Sequence, residues 1–319
     1  MLIGAIALNL QPSTFNHQQM YHKILHKTDY TYQVPVSLCH NIIRLIPRST
    51  NKQFCKRSVV TISPEPEVLV EYEDFYGNKL VYFTIEKEHK KLSVHVLSEI
   101  EKLAPAKERL PKNDLVSWEE VCRLTHTLTP ELLDVKQFIA ATQMTMADEA
   151  IAAYAKESFP AGMSLFQGAK NLMTRIFTDF KFQSGFTTIS TPLSVVMRER
   201  KGVCQDFAHL AIACLRSLGL PARYVSGYIE TIPPPGVVKL IGVDASHAWF
   251  SVYLPDSGWV DFDPTNNMIP SERHITIGWG RDYADITPLR GVIMSSGSHD
   301  LQVSVDVKRV WEGIQDRES

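Results

Sequence analysis

Arg200-Lys-Gly-Val-Cys-Gln-Asp-Phe207 decides the reading of this chain. It opens a run from Gln205 to Leu218 in which Phe207, Ala211, Cys214, Leu215 and Leu218 recur with the spacing of one helical face. Gly219 and Pro221 mark the end of that helix. Gly202 reads as a flexible turn, and Cys204 then falls at a helix N-terminus with Arg200 and Lys201 just upstream. Unpaired N–H groups and the helix dipole favour negative charge there, the setting that turns a thiol into a nucleophilic thiolate.

A cysteine nucleophile needs an imidazole, and the imidazole needs an acceptor that orients it. Both follow downstream. Asp244-Ala-Ser-His-Ala-Trp-Phe-Ser-Val-Tyr-Leu254 is β-branched and aromatic, so it reads as a strand; Pro255-Asp-Ser-Gly258 is a turn; Trp259-Val-Asp-Phe-Asp263 is a second strand stopped by Pro264. His247 lies near one open end of this hairpin and Asp263 near the other. Side chains alternate with period two, so the loop length matters. A regular four-residue loop puts Asp263 opposite Phe250, on the wrong face. An odd-length loop or a bulge that sets Tyr253 against Trp259 brings Asp263 diagonal to His247. Asp261 shares the parity of Asp263 and competes with it as the orienting carboxylate.

The segments Gly202–Ala208, Leu218-Gly-Leu-Pro-Ala-Arg-Tyr-Val-Ser-Gly-Tyr228, Ser246-His-Ala-Trp249 and Gly258-Trp-Val-Asp-Phe-Asp-Pro-Thr265 resemble the bacterial transglutaminase-like superfamily. That family has a papain-like core with a Cys-His-Asp triad in this chain order. The resemblance implies Cys204 as nucleophile, His247 as base and Asp263, in its Asp-Pro-Thr context, as orienting group. Gly280-Arg-Asp-Tyr-Ala-Asp-Ile-Thr-Pro-Leu-Arg-Gly291 is similar to the tail of bacterial members. Tyr30-Thr-Tyr32, Leu45-Ile-Pro-Arg48 and Asp74-Phe-Tyr-Gly-Asn78 are similar to their β-rich N-terminal region.

The whole chain fits an α+β protein: a papain-like transglutaminase core of helices plus antiparallel sheet, preceded by a small all-β sandwich. Residues 1–20 read as a poorly ordered extension, 21–103 as the sandwich, 104–112 as a proline-marked linker, 113–310 as the catalytic core and 311–319 as a tail. Leu80–Ile85 and Leu92–Leu97 carry the strongest strand signal. Ser117 with Glu120, Thr129-Pro130, Ala147–Glu157, Met163–Thr178 and Thr191-Pro192 carry the helix signals.

With 319 residues, 44% hydrophobic and 21% charged, the chain has the composition of a globular protein with room for two cores. A net charge of −2 argues against nucleic acid as partner. The apolar start Met1–Leu10 lacks a basic n-region and is too short to span a bilayer, so no membrane partner is expected. Five cysteines at irregular spacings give neither a disulfide framework nor a zinc motif; the expectation is a cytoplasmic protein without metal or cofactor.

His209 is set roughly 140° around the helix from Cys204 and reads as packing. Asp206 complements the helix dipole. Trp249 either shields His247 from water or packs. His17, His22, His26 and His40 read as surface or packing residues. The chemistry implied is acyl transfer from a peptide, isopeptide or amide through a thioester, with the Cys204 N–H as one oxyanion donor. Gln183 is a weak candidate for the second. Water as acceptor makes a hydrolase and an amine makes a transglutaminase, while a binding scaffold on a relic core is the rival from another class. In this reading Asp263→Asn is milder than loss of Cys204 or His247.

Overall fold

The structure, a computed structural model, describes residues 20–103, 116–127, 129–231 and 245–311. The expected extension (1–20, apart from Met20), the linker 104–112, the tail beyond residue 311 and His17 lie outside them. The first six strands are β1 Met20–Val36, β2 Cys39–Ile43, β3 Gln53–Ser63, β4 Val68–Glu73, β5 Lys79–Ile85 and β6 His89–Lys102. On β6, Leu92, Val94, Val96, Ser98 and Ile100 are buried at every second position, the signature of a strand with one face on a core. Helices α1 Trp118–His126, α2 Leu133–Lys136, α3 Glu149–Ser158 and α4 Leu165–Asp179 follow. Then come β7 Lys181–Phe182, α5 Leu193–Glu199, β8 Lys201–Gly202 and α6 Cys204–Ser217. Strands β9 Ala222–Ile229, β10 Ala245–Leu254, β11 Gly258–Phe262, β12 His274–Gly280, β13 Leu289–Ile293 and β14 His299–Trp311 complete the described chain.

Two antiparallel sheets, ordered β14-β1-β6-β3 and β13-β2-β5-β4, enclose a core of Val36, Ile43, Phe83, Ile85 and Val94. A third sheet, β11-β10-β9-β12, packs on α6. The expected core of 113–310 therefore ends earlier, because Leu289–Ile293 and His299–Trp311 belong to the sandwich. Strand pattern announces such segments, but sheet membership depends on pairing across more than 200 residues and leaves no local mark.

Helix α6 is buried on nearly all sides rather than along one face, with Asp206 through Arg216 inside. Ala208, Ala211 and Ala213 permit this close surround. Every nitrogen of its one buried guanidinium has a partner: Arg216 donates to Phe138 O, Thr145 Oγ1, Ala222 O and Arg281 O at 2.7–2.9 Å.

The edge strand β12 is closed off by the sandwich. Gln53 Nε2 donates to Thr276 O (2.7 Å) while its Oε1 accepts from Thr276 N–H (2.9 Å). Asn78 does the same at Trp279, at 2.8 and 3.0 Å. Two side-chain amides thus take the place of a neighbouring strand. Arg48 stacks on Trp279, and Arg223 is held between Trp279 and Trp259. Ile24, Ile100, Val305 and Val307 meet Tyr228, Ile275 and Ile277 in an apolar seam.

Candidate active site

The loop before α6 differs from expectation in where its turn lies. Arg200, not Gly202, takes the left-handed conformation (φ 53°) that ends α5. Gly202 is in β8, which pairs in parallel with β7, and it is required for space: a Cβ there would sit 2.9 Å from Asp206 Cβ and Oδ2. Asp206 accepts the Val203 N–H (2.8 Å) and the Thr187 hydroxyl (2.6 Å), fixing the first turn of α6. Cys204, half-buried, is the first residue of that turn. Gln183 N–H donates to Gly202 O (2.9 Å), which brings the Gln183 backbone beside the same loop.

On the hairpin, Tyr253 pairs with Trp259 and Leu254 with Gly258, so three residues loop out. This is the odd-length register the parity argument demands. Past Phe262 the chain leaves β11, and the two-way Asp263–Met268 backbone bridge closes a turn through Asn267 (φ 50°). His247 Nε2 then lies 2.7 Å from Asp263 Oδ2, with both side chains at most 5% exposed. Cys204 acts on the same imidazole by hydrogen bond and charge. With Nε2 committed to Asp263, Nδ1 is the nitrogen left to meet the thiol. Burial opposes charge on His247, but its hydrogen bonds and charge interactions with Asp263 and Cys204 outweigh burial and raise it to about 10.

Asp263 is wholly buried and crowded with donors. Oδ1 accepts the N–H groups of Thr265 (3.0 Å) and Asn266 (3.2 Å). Oδ2 accepts from His247, from Asn266 Nδ2 (2.7 Å) and from His274 Nε2 (3.0 Å). Burial would raise its carboxyl, yet these bonds together hold it well below the usual carboxylate range.

His274 is the residue that sequence reasoning missed. It opens β12, opposite Ile229 of β9, while His247 stands opposite Gly227 on the other side of β9. Only that three-strand alignment brings the two rings to 6.0 Å. His247, Asp263 and His274 offer ligand atoms within 4.8 Å of one another, a spacing that suits a metal ion. Here two imidazole N–H groups sharing one carboxylate account for the closeness.

Asp261 is engaged elsewhere: Lys52 Nζ from the sandwich lies 3.0 Å from its Oδ2, and its charge reaches His274 without a hydrogen bond to either imidazole. His209 accepts the Tyr283 N–H at 3.1 Å and packs at a tilt against the Tyr224 ring, 4.9 Å between centroids, so it serves packing. His22 and His26 are buried and His40 is exposed. Trp249 is fully buried, its indole 5.9 Å from the His247 ring and 5.3 Å from His274. It fits only because Gly227 has no side chain. A Cβ there would meet Ile275 O at 2.2 Å and the Trp249 ring at 2.5 Å. Gly227→Ala is therefore expected to destabilise the fold by at least about 1–3 kcal/mol and to impair the site together with it, as read by thermal melting and Cys204 reactivity.

A half-buried cysteine at a helix N-terminus facing a His–Asp pair on an antiparallel sheet defines a papain-like arrangement. Residues 152–264 match the transglutaminase-like superfamily, and residues 22–101 match the bacterial transglutaminase-like N-terminal region. An uncharacterised protein of Mycobacterium tuberculosis is 38% identical over 90% of this chain and 92% of its own length. The chain belongs to the transglutaminase-like superfamily. A solved structure of a candidate cysteine protease from Cytophaga hutchinsonii shares the fold, with a TM-score of 0.69 over 93% of this chain and 92% of that one at 21% identity. A protein-glutamine gamma-glutamyltransferase of Pseudomonas aeruginosa is 36% identical over 72 residues, 22% of this chain and 11% of that protein.

Proposed function

We propose that this protein is a cysteine-dependent hydrolase of peptide, isopeptide or amide bonds, working through a thioester on Cys204. The observation that carries the reading is the His247 imidazole, bonded at Nε2 to a buried carboxylate and acted on by the Cys204 thiol. The thiolate attacks the carbonyl carbon, the C–N bond breaks, and His247 gives its proton to the leaving amine. Water then attacks the thioester, His247 takes one of its protons, the C–S bond breaks, and the carboxylic acid leaves with the Cys204 thiolate and the His247 imidazolium restored. The Cys204 N–H at the start of α6 supports a developing oxyanion, with Gln183 as candidate for the second donor. Short local similarity to a gamma-glutamyltransferase supports the alternative in which an amine replaces water. The intact constellation weighs against the scaffold reading. Five unpaired thiols favour the cytoplasm as its place of work.

Iodoacetamide at near-neutral pH, with the modified sites mapped by mass spectrometry, tests the proposal. Cys204 is expected to react well ahead of the other partly exposed thiols, Cys55 and Cys122, and His247→Ala to abolish that lead. Equal labelling of the three would overturn the reading. Peptide, isopeptide and glutamine-plus-amine substrates then separate hydrolysis from transfer.

The pH dependence follows from the same bonds. Because folding raises His247 to about 10, its contribution to stability is complete below about 6.5 and is lost as pH rises through about 10. Asp263 is lowered, so its contribution is present above about 3.8 and fades as pH falls toward its folded value. Activity carried by the imidazolium should accordingly hold through mildly alkaline pH and fall near pH 10. A kcat/KM profile whose alkaline limb centred near pH 6.5 would contradict the pairing.

A further inference from the structure

We infer that His274 is a positioning residue for the triad: as a neutral imidazole it donates its Nε2 proton to Asp263 Oδ2 and holds that carboxylate in line with His247. The inference rests on the hydrolase reading above and adds a fourth side chain to its machinery. The tautomer is set by the neighbouring backbone. Ser271 N–H points at His274 Nδ1 (3.4 Å), so Nδ1 accepts and Nε2 carries the hydrogen that reaches Asp263 at 3.0 Å. Burial keeps this ring uncharged, its pull toward neutrality only partly offset by Asp263. A neutral donor suits the place, since a second imidazolium beside His247 would oppose the charge on which the first depends.

His274 is itself held from the sandwich. Lys102 Nζ, at the end of β6, donates to His274 O at 2.7 Å, and Gln53 brackets Thr276 two residues on. Trp249 presses edge-on against the ring. The Asp263 carboxylate thus accepts at Oδ2 from imidazoles on two different strands. Its orientation toward His247 does not depend on the hairpin alone, whose paired register ends at Phe262. The titratable groups acting on the His247 and His274 rings are Cys204 from α6, Asp263 from the turn and Asp261 from β11, and the two imidazoles act on each other. Lys102, with Lys52 and Glu272 around it, faces the backbone of His274 rather than its ring.

The experiment is the rate of Cys204 alkylation by iodoacetamide between pH 4 and 11, in the full chain, for wild type, His274→Ala and His274→Gln. Gln reaches the Nε2 position with an amide N–H. His274→Ala is expected to slow alkylation at neutral pH by about 10-fold or more, on the scale of lost orienting groups, and to move the alkaline limb down by about one pH unit as His247 loses its grip on Asp263. His274→Gln should restore the limb to within a few tenths of a unit. Circular dichroism and melting temperature report folding for each protein, and the Gln variant carries the test if the Ala variant fails to fold. An Ala variant that is folded with an unmoved limb, or a Gln variant that behaves like Ala, overturns the inference. A wild-type Cys204 with no excess reactivity would instead overturn the hydrolase reading on which it rests.

Discussion

Cys204→Ala is expected to bring turnover of any cleaved peptide or amide down to the uncatalysed background, a loss on the order of 10⁶ in kcat, with melting temperature nearly unchanged. Cys204 sits half-buried at the first position of α6, where Ala is a good helix former and leaves only a small void. The first turn stays fixed because Asp206, not Cys204, makes its capping bonds. His247→Ala should be nearly as severe, since proton delivery to the leaving amine is lost. Members of such a unit are non-additive, so the double variant should be no worse than Cys204→Ala alone. Residual turnover above one-hundredth of wild type in Cys204→Ala would exclude the thioester route.

Asp263→Asn, expected from sequence to be the mild member of the series, is predicted from the structure to be severe. Both carboxylate oxygens are acceptors: Oδ1 faces two backbone N–H groups, and Oδ2 faces His247, His274 and Asn266. An amide in the same place must turn its NH₂ toward one of these sets, leaving donors opposed in a fully buried site. Each orphaned buried donor costs about 1–3 kcal/mol. Rotated to spare the backbone, the amide meets His247 with N–H against N–H and favours the wrong tautomer, a change worth about 10⁴ in kcat in a comparable triad. The expected result is loss of both turnover and several degrees of melting temperature. Asp261→Asn makes the contrast: its ion pair with Lys52 should register in stability while kcat holds within a few-fold. Reversal of that pattern would transfer the orienting role to Asp261.

Much of this site was legible in the chain because its parts carry local marks. Helix punctuation around Cys204 located α6 to within a residue at each end, and the parity of two short strands was enough to require a three-residue loop. The parts that were not legible depend on distance. His274 begins an ordinary alternating strand, and only the pairing of β12 with β9 turns it toward Asp263. Its one local signal is position, eleven residues past Asp263 at the start of the next apolar alternation. Gly202 was read for its freedom, whereas its contact with Asp206 shows that it was needed for its lack of bulk. Asn78, noted only as part of a resembling motif, is a bracket on β12, a role set by a strand 200 residues away.

The placement of β13 and β14 in the sandwich bears on how the protein is made. β1 is flanked by β6 and β14, and β2 by β5 and β13, so each N-terminal sheet waits for a strand from the far end of the described chain. Closing a loop of roughly 280 residues carries a chain-entropy term on the order of 5 kcal/mol, and it can be met only once those last strands have left the ribosome. Until then β1 and β2 present open hydrogen-bonding edges, the kind of surface that recruits foreign strands. A nascent chain of this topology spends its synthesis time exposed to self-association and to chaperones that shield strand edges. Residues 22–101, although recognisable as a region by themselves, are therefore not expected to fold autonomously. Expressed without Leu289–Trp311, they should aggregate, and co-expression of that C-terminal segment as a separate peptide should rescue their solubility.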